Sequence, residues 1–238
     1  MSFRIDPKKP FSEEVRRSGL ALIDDAIAIL RDNTAGSHAA VHEARKRFKR
    51  LRALYRLLRS AAPGFVREEN ARIRDIARSF AVARDATALV ETAEYLETFA
   101  RSDAQGDALR SITAMLRIRR DDILKQGCGL GDAMSAAVDA CKEARKKLGA
   151  VSLPDELKAT TRLVRTEWSK QGKKARKALA HCHEQAGVEH FHDLRKASQA
   201  YGMHLGLMRS LWPSAMRAKR ADAKRLVSIL GHEHDLSV

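Results

Sequence analysis

One motif occurs twice in this 238-residue chain, at positions 150 residues apart. Aligned without a gap, residues 42–88 and 192–238 share ten identical positions out of 47. Roughly four identities would be expected by chance at ordinary composition. A repeat this long is not a solenoid unit of 20–50 residues, so we expect two similar halves packed as one unit. The identical pairs include His42 and His192, Arg45 and Arg195, Lys46 and Lys196, Pro63 and Pro213, and Asp85 and Asp235.

The first copy lies in a stretch, residues 41–59, that carries two stripes at helical spacing. The apolar stripe consists of Val41, Ala44, Phe48, Leu51, Tyr55 and Leu58, and the basic stripe of His42, Arg45, Lys46, Lys49, Arg52 and Arg56. The stripe centres lie roughly 130° apart on the helical wheel. Only one acid, Glu43, accompanies eight Lys and Arg residues in this stretch. On its own this helix fits a solvated face as well as an anion-binding face.

The composition is typical of an all-α protein. The chain has only 13 Gly and 5 Pro, and no run of β-branched alternation indicates a strand. We predict eight helices, four of them in a first bundle over residues 1–126 that ends with a helix at 107–126. The stretch 127–131 is predicted to be a Gly-rich linker, and residues 132–238 a second bundle.

The second copy stops early in comparison with the first. Val238 corresponds to Ala88, and the first copy continues for about another 36 residues, enough for a further helix. The second bundle is therefore expected to lack its last helix within this chain. An apolar face left uncovered in this way is a liability or an interface, so self-association through it is one expectation.

The charge balance points to a polyanionic partner. The formal net charge is +15, which attracts nucleic acid, anionic membrane surfaces or polyphosphate. The three cysteines share no metal-ligand spacing, which fits a reducing compartment. The first residues are charged and resemble no signal peptide, and no apolar run approaches the ~20 residues of a membrane span. We therefore expect a cytoplasmic protein.

Further basic residues follow the helical period outside the first motif. A sixth helix, ending near residue 184, carries Arg162, Arg165, Lys173 and Arg176 in one arc, with Lys177 at its margin. His42 and His192 occupy equivalent positions beside basic residues. This favours a role in binding over a role in packing, because imidazole can donate a hydrogen bond to a phosphate oxygen.

Catalytic and metal-binding patterns are weak. His181-Cys182-His183 and His232-Glu233-His234 are dense in possible ligands, but neighbours one or two apart on a helix diverge, and further ligands at a known spacing are missing. We find no nucleophile–base pair, phosphate-cradling Gly-rich loop or paired acids. The sequence therefore predicts a binding protein that is not an enzyme and has no metal or cofactor.

Three motifs together resemble the CHAD family, the conserved histidine α-helical domain. They are His-x-x-Arg-Lys-x-x-Lys-Arg-Leu-Arg at 42–52, His-Asp-Leu-Arg-Lys at 192–196 and Leu-Gly-His-Glu-His-Asp at 230–235. The resemblance runs from about residue 11 to 238 and extends to the basic helix around Gly172-Lys173-Lys174. It implies two four-helix bundles related by a pseudo-twofold axis, with a basic central channel that binds inorganic polyphosphate.

The resemblance also implies which residues bind this ligand. The predicted set is His42, Arg45, Lys46, Lys49, Arg52, Arg56, Arg78, Arg84, Arg162, Arg165, Lys173, Lys174, Arg176, Lys177, His192, Arg195 and Lys196. Gln199 and Gly202 stand where the pattern would repeat Lys49 and Arg52. The second half should therefore bind more weakly, unless Lys173, Lys174 and His204 compensate.

The expected partner is thus inorganic polyphosphate, for which phosphate or sulfate ions could substitute, and the expected location is the cytoplasm, including polyphosphate granules. The alternative is RNA or single-stranded nucleic acid. That function needs flat surfaces on which bases can stack, whereas Trp168, Trp212 and the three tyrosines are scattered along the chain.

Overall fold

A computed structural model describes residues 3–32, 36–126 and 130–236, without the side chains of residues 83–84, 124–126 and 234–236. Over these ranges the chain forms nine α-helices and no strand, so the prediction of an all-α protein is confirmed. The helices are α1 (Phe11–Arg31), α2 (Ser37–Leu57), α3 (Pro63–Ser79), α4 (Ala81–Glu97), α5 (Asp103–Gln126), α6 (Leu130–Ala150), α7 (Leu157–Glu184), α8 (Val188–Leu207) and α9 (Pro213–Leu236).

The predicted third helix is in fact two helices, which accounts for nine in place of eight. The backbone leaves helical geometry at Phe80, with φ −96° and ψ 9°, and α4 starts at the next residue. The Phe80 side chain is fully buried, so core packing holds the bend. In the second copy the corresponding residue, Leu230, lies inside the uninterrupted helix α9.

The main hydrophobic core is built on four helices, α1, α2, α3 and α6. Contacts join α1 to α2, α2 to α3, α3 to α6 and α6 to α1. The fully buried side chains that meet in this core include Val15, Ile23, Phe48, Leu51, Tyr55, Ile73, Cys141 and Leu148. Their spacing of three and four residues gives each helix one apolar face, and burial of these faces holds the four helices together.

The place predicted for the helix at 107–126 is therefore taken by α6. Residues 107–126 lie within α5, which packs chiefly on α4 as an antiparallel hairpin. In the predicted linker, residues 127–129 lie outside the described part of the chain, and Leu130 and Gly131 already belong to α6. The stretch 127–131 thus does not separate the helices in space, since α6 returns to α1 and α3.

The remaining helices pack in chain order, α7 on α8 and α8 on α9. Helix α2 contacts both α7 and α8, and α4 contacts α9. Large apolar side chains stay exposed at several positions of these helices and of the turn between α8 and α9, namely Leu157, Leu179, Val188, Trp212 and Ile229. Self-association through such a surface stays a prediction.

Contacts distant in sequence hold the halves together. The backbone N–H and the hydroxyl of Ser12 both donate to the Asp155 carboxylate at 2.7 Å, so the segment before α7 caps the start of α1. These bonds keep the pKa of Asp155 below its usual range. In addition, His204 of α8 contacts the carbonyl oxygen of Ala53 in α2 at 2.8 Å. Among the described helices, none is long and apolar enough to cross a membrane.

Candidate anion-binding groove

Helices α2 and α8 enclose a cavity of about 420 Å³, with α4 as its third wall. Residues 38–49 and 192–199 meet there, and Ala53 meets His204 further along. The two helices therefore run side by side in the same direction. The lining residues are His38, Val41, His42, Arg45, Lys46, Lys49, Thr87, Ala88, Glu91, His192, Arg195, Lys196 and Gln199.

This cavity brings together the two copies of the motif. His42, Arg45 and Lys46 line one wall, and their counterparts at 192, 195 and 196 line the opposite wall. Lys49 adds a further positive charge on the α2 side. The apolar stripe of α2 is buried in the core, which leaves the basic stripe beside it facing α8. A helix whose two stripes lie side by side can thus pack and line a cavity at once.

Hydrogen bonds position the cations of the α2 wall. One guanidinium nitrogen of Arg45 (Nη1) donates to the carbonyl oxygen of Ala77 at 2.8 Å, in the last turn of α3. This carbonyl lies at a helix C-terminus, where the helix dipole favours a positive charge. Lys46 pairs with Glu43 at 2.6 Å, and Arg47 pairs with the same carboxylate. These two cations keep the pKa of Glu43 below its usual range.

On the α8 wall, a glycine makes room for Arg195. A Cβ atom at Gly231 of α9 would lie only 3.2 Å from Nη2 of Arg195. Because glycine has no side chain, the guanidinium can lie against the backbone of α9 while Arg195 lines the cavity. Lys196 is exposed and lies 3.4 Å from the Asp193 carboxylate, a long contact that leaves the ammonium available to a stronger anion.

The third wall comes from residues of α4 that the sequence prediction did not include. Thr87, Ala88 and Glu91 line the cavity, and Tyr95 stacks on the imidazole of His232 in α9 with ring centroids 4.1 Å apart. Thr87 and Glu91 lie four residues apart, so they share one helix face. Glu91 is the one carboxylate among the residues that line this cavity as described. This spacing could have been read from the sequence, but the position of α4 could not.

A smaller cavity, of about 200 Å³, extends the basic surface toward α7. Its cations are Lys174 and Lys177 of α7 together with Lys196, which also lines the first cavity. His181 and His190 contribute the imidazoles. We refer to the two cavities together as the groove. Through Lys196, the groove connects two predicted lysines of α7 with the motif residues of α2 and α8.

Arg52 and Arg56 continue the basic stripe of α2 beyond the groove. Burial, with Arg52 and Arg59 nearby, lowers the pKa of Arg56 to about 10. Burial, with Arg74 nearby, also lowers the pKa of Arg52, and its Nε donates a long bond of 3.4 Å to Asn70. Both guanidinium groups remain charged. Burial and the repulsion between neighbouring cations both make the charged form of these side chains less favourable than in water.

Other predicted residues lie away from the groove. Arg162, Lys173 and Arg176 are exposed on α7, and Arg78 is exposed near Asp75 of α3. Arg165 lines a different, mainly apolar cavity between α7 and the N-terminal segment. Arg84 has a side chain outside the described set. The groove therefore gathers the motif residues and two lysines of α7 but none of the five residues of this group whose side chains are described.

The expectation that His204 could compensate for Gln199 and Gly202 is wrong. His204 is fully buried, and because a carbonyl oxygen can only accept, its Nε2 must donate to Ala53. Burial, with Arg56 nearby, lowers the pKa of His204. The imidazole is therefore neutral and cannot reach an anion in the groove. Among the side chains that the structure describes, three or more His, Cys, Asp or Glu residues do not gather as a metal site would require.

Comparison with known protein families identifies a family that the chain matches. Residues 21–238 match the family described as the CHAD domain, essentially the whole chain. Neither the curated proteins nor the solved structures compared with the chain gave a match.

Proposed function

The chain belongs to the CHAD domain family, and on that basis we propose that it binds inorganic polyphosphate in the groove between α2 and α8. The observation that carries the proposal is the convergence of both motif copies on one cavity. Five of its lining residues are Lys or Arg, two more are the paired histidines, and only Glu91 is acidic. This charge balance suits a ligand with several negative charges.

The shape of the ligand fits the shape of the groove. Polyphosphate is a flexible chain with about one negative charge per phosphate, so it needs an extended cationic surface more than a single deep pocket. Arginine can hold two phosphate oxygens through its planar fork, whereas lysine acts as a point charge. His42 and His192 can each donate a hydrogen bond to a phosphate oxygen.

We propose further that the two halves are related by a pseudo-twofold axis. The contacts of α1 with α2 and of α2 with α3 have counterparts in those of α7 with α8 and of α8 with α9. The 150-residue offset matches α2 to α8 and α3 to the first part of α9. Arg45 and Lys46 of α2 then face Arg195 and Lys196 of α8 across the axis, so both halves contribute cations to one ligand.

Nucleic acid is the alternative ligand, and the lining of the groove argues against it. Binding of unpaired bases draws much of its free energy from stacking on aromatic side chains, and among the described lining residues of both cavities the only rings are those of histidines. Competition separates the two ligands. We expect polyphosphate to displace a bound RNA oligonucleotide; RNA that remains bound at saturating polyphosphate would favour the alternative.

We propose that binding is not coupled to hydrolysis. A polyphosphate hydrolase would need groups that activate water, commonly a metal held by several carboxylates. The test is to incubate the protein with polyphosphate and Mg²⁺ or Mn²⁺ and to measure released phosphate. Release above the rate without protein would overturn this part of the proposal.

The central experiment is a calorimetric titration with polyphosphate of defined length. The variant Lys46→Gln/Lys49→Gln/Arg195→Gln/Lys196→Gln removes four charges from the groove. Its matched control, Lys142→Gln/Arg145→Gln/Lys146→Gln/Lys147→Gln, removes four charges from the exposed face of α6. We expect the groove variant to lose binding and the control to retain it. Equal loss in both variants would mean that only net charge matters and would contradict a defined groove.

Salt dependence tests the physical basis of the affinity. If ion pairs dominate, the logarithm of the binding constant should fall linearly with the logarithm of salt concentration, by analogy with counterion release at nucleic acids. The slope should be shallower for Lys46→Gln/Lys49→Gln/Lys196→Gln, in which only exposed lysines change. An affinity that does not respond to salt would refute this mechanism.

A further inference from the structure

A second basic cavity, of about 650 Å³, lies where the chain turns from α8 into α9. It shares no lining residue with the groove. Arg195 and Arg209 are 14 positions apart, roughly 20 Å along a helix axis, so the two sites lie at opposite ends of α8. The lining residues are Arg4, Arg209, Ser210, Pro213, Met216, Arg217, Arg220, Ala221 and Lys224. We call this site the α8–α9 cavity.

The described residues that line this cavity include several cations and no carboxylate. Five of its nine lining residues are Lys or Arg, and none is acidic. In the part of the chain that the structure describes, the side chains of Arg4, Arg217, Arg220 and Lys224 make no ion pair with an acid. Like charges this close repel one another, and they stay together most favourably when an anion lies between them.

The cavity is held in place by backbone contacts. The N–H of Ile5 donates to the carbonyl oxygen of Leu207 at 2.8 Å, and the carbonyl oxygen of Arg4 accepts bonds from Arg17 at 2.7 Å and from Ser18 at 3.1 Å. These bonds fix the N-terminal segment against α1 and α8. The buried Met216 forms the apolar floor. The cations therefore project from a fixed frame.

The duplication shows that the cluster is repeated. With the 150-residue offset, the cavity residues after Arg4 correspond to a set on and between α2 and α3, in which Arg59 lies near Arg56 and Arg74 lies near Arg52. The corresponding pairs are Arg59 and Arg209, Ser60 and Ser210, Pro63 and Pro213, Arg67 and Arg217, Asn70 and Arg220, and Arg74 and Lys224. Both copies thus place cations at the same junction.

At one position of this junction, the arginine comes from a different helix in each copy. The first copy has Arg56 on α2 and Asn70 on α3, whereas the second has Gly206 on α8 and Arg220 on α9. A Cβ atom at Gly206 would lie 3.1 Å from Nε of Arg220, so the side chain of Arg220 lies over this glycine. In the second copy, this guanidinium therefore comes from α9 and not from α8. Packing alone does not require a cation there, since Arg220 is exposed.

We propose that the α8–α9 cavity is a second anion site that binds an inorganic oligophosphate. Three guanidinium groups can each hold two phosphate oxygens, those of Arg209, Arg217 and Arg220. Lys224 adds a point charge, and the Ser210 hydroxyl adds a neutral hydrogen-bond donor. The first residue of α9, Pro213, also lines the cavity, so the positive end of the dipole of this 24-residue helix faces the ligand. Several cations with few neutral donors suit two or three linked phosphates better than one.

The test is calorimetric titration of the full chain with inorganic tripolyphosphate, which is short enough to occupy one site at a time. We expect two sites per wild-type chain. Arg217→Gln/Lys224→Gln changes two exposed side chains and should remove or weaken one site at least about tenfold. Arg217→Gln/Arg220→Gln tests the residue over Gly206. Lys46→Gln/Lys196→Gln affects only the groove, and Lys142→Gln/Lys146→Gln on α6 is the charge-matched control.

The outcomes separate this inference from the proposed function. One site lost in Arg217→Gln/Lys224→Gln, with the other site and the α6 control unchanged, supports it. Binding unchanged in both α8–α9 variants overturns it, while a loss in the groove variant would still support the groove. A loss in the α8–α9 variants with an unaffected groove variant would support this cavity and contradict the groove. A wild-type chain that binds only one tripolyphosphate, lost in the groove variant alone, overturns the inference.

Discussion

Helices α2 and α8 carry the same motif, yet they are built differently after it. In α2 the basic stripe continues through Lys49, Arg52 and Arg56, whereas the matching positions of α8 are Gln199, Gly202 and Gly206. The cations on the second side of the molecule come from neighbouring helices instead, with Lys174 and Lys177 on α7 and Arg220 on α9. A duplicated half can thus retain positive charge in one place while the helix that carries the charge changes.

The difference also affects the inner face of the two helices. Leu54 of α2 is buried as an ordinary core residue, whereas its match in α8, His204, is buried and hydrogen-bonded to α2. Substitutions in the two halves should therefore affect different properties of the protein. The α2 side should dominate ligand affinity, and the α8 side should bring pH sensitivity to folding.

The largest expected effect comes from removing charge on one side at a time. Arg45→Gln/Lys46→Gln/Lys49→Gln on α2 should weaken polyphosphate binding about a hundredfold, and Arg195→Gln/Lys196→Gln on α8 about tenfold, since each partly exposed ion pair with the ligand contributes about 0.7–0.9 kcal/mol. Titrations at one fixed salt concentration measure both. A greater loss on the α8 side would reverse the comparison.

Arg56 offers the second test, because binding and folding should respond in opposite directions. Replacing the half-buried, crowded guanidinium by an apolar group of similar length, Arg56→Met, should raise the free energy of unfolding by about 1–2 kcal/mol. The same change should weaken the binding of a polyphosphate chain that is long enough to extend along α2 beyond the groove. Urea denaturation measures the first effect, with Arg59→Met on the exposed neighbour as control. A destabilised Arg56→Met protein would show that this charge is compensated in the fold.

The third test concerns pH. Burial lowers the pKa of His204 from 6.5. In the unfolded chain this imidazole therefore takes up a proton near pH 6.5, whereas in the folded chain it remains neutral at that pH. Stability should therefore be retained above that pH and decrease as the pH falls below it, by up to about 1.4 kcal/mol per pH unit. His204→Leu, which copies Leu54 of the first half, should remove this part of the decrease between pH 7 and 5.5. Parallel curves for the two proteins would contradict the prediction.

The smallest expected effect is a gain in polyphosphate affinity when Glu91 is replaced. Glu91 places a carboxylate in the wall of the groove and, in the described part of the chain, has no cationic partner. Glu91→Gln should therefore strengthen polyphosphate binding, by about two- to threefold for one exposed charge. Weaker binding by this variant would mean that the carboxylate positions a cation of the groove.

The sequence anticipated features that depend on spacing within one helix. The basic stripe of α2 and its copy around His192 follow from the helical period, and the repeat indicated that the two should be compared. Features that depend on how helices pack could not be read in this way. The return of α6 to α1 and α3, the α4 wall with Glu91, and the position of Arg220 over Gly206 all arise from contacts between distant segments.

His204 shows the same limit at a single residue. Its position in a basic helix made it a candidate for phosphate binding, but the helix face that it occupies is the one buried against Ala53. The matching residue of the first copy, Leu54, is apolar. This indicates a core position, which the pattern of charges alone did not.

The most direct measurement is a crystal structure of the chain with bound polyphosphate. The account predicts phosphate groups in the groove within hydrogen-bond distance of cations from both α2 and α8, with His42 and His192 on the same ligand. Polyphosphate that lies elsewhere on the surface, or that contacts only one of the two helices, would contradict it.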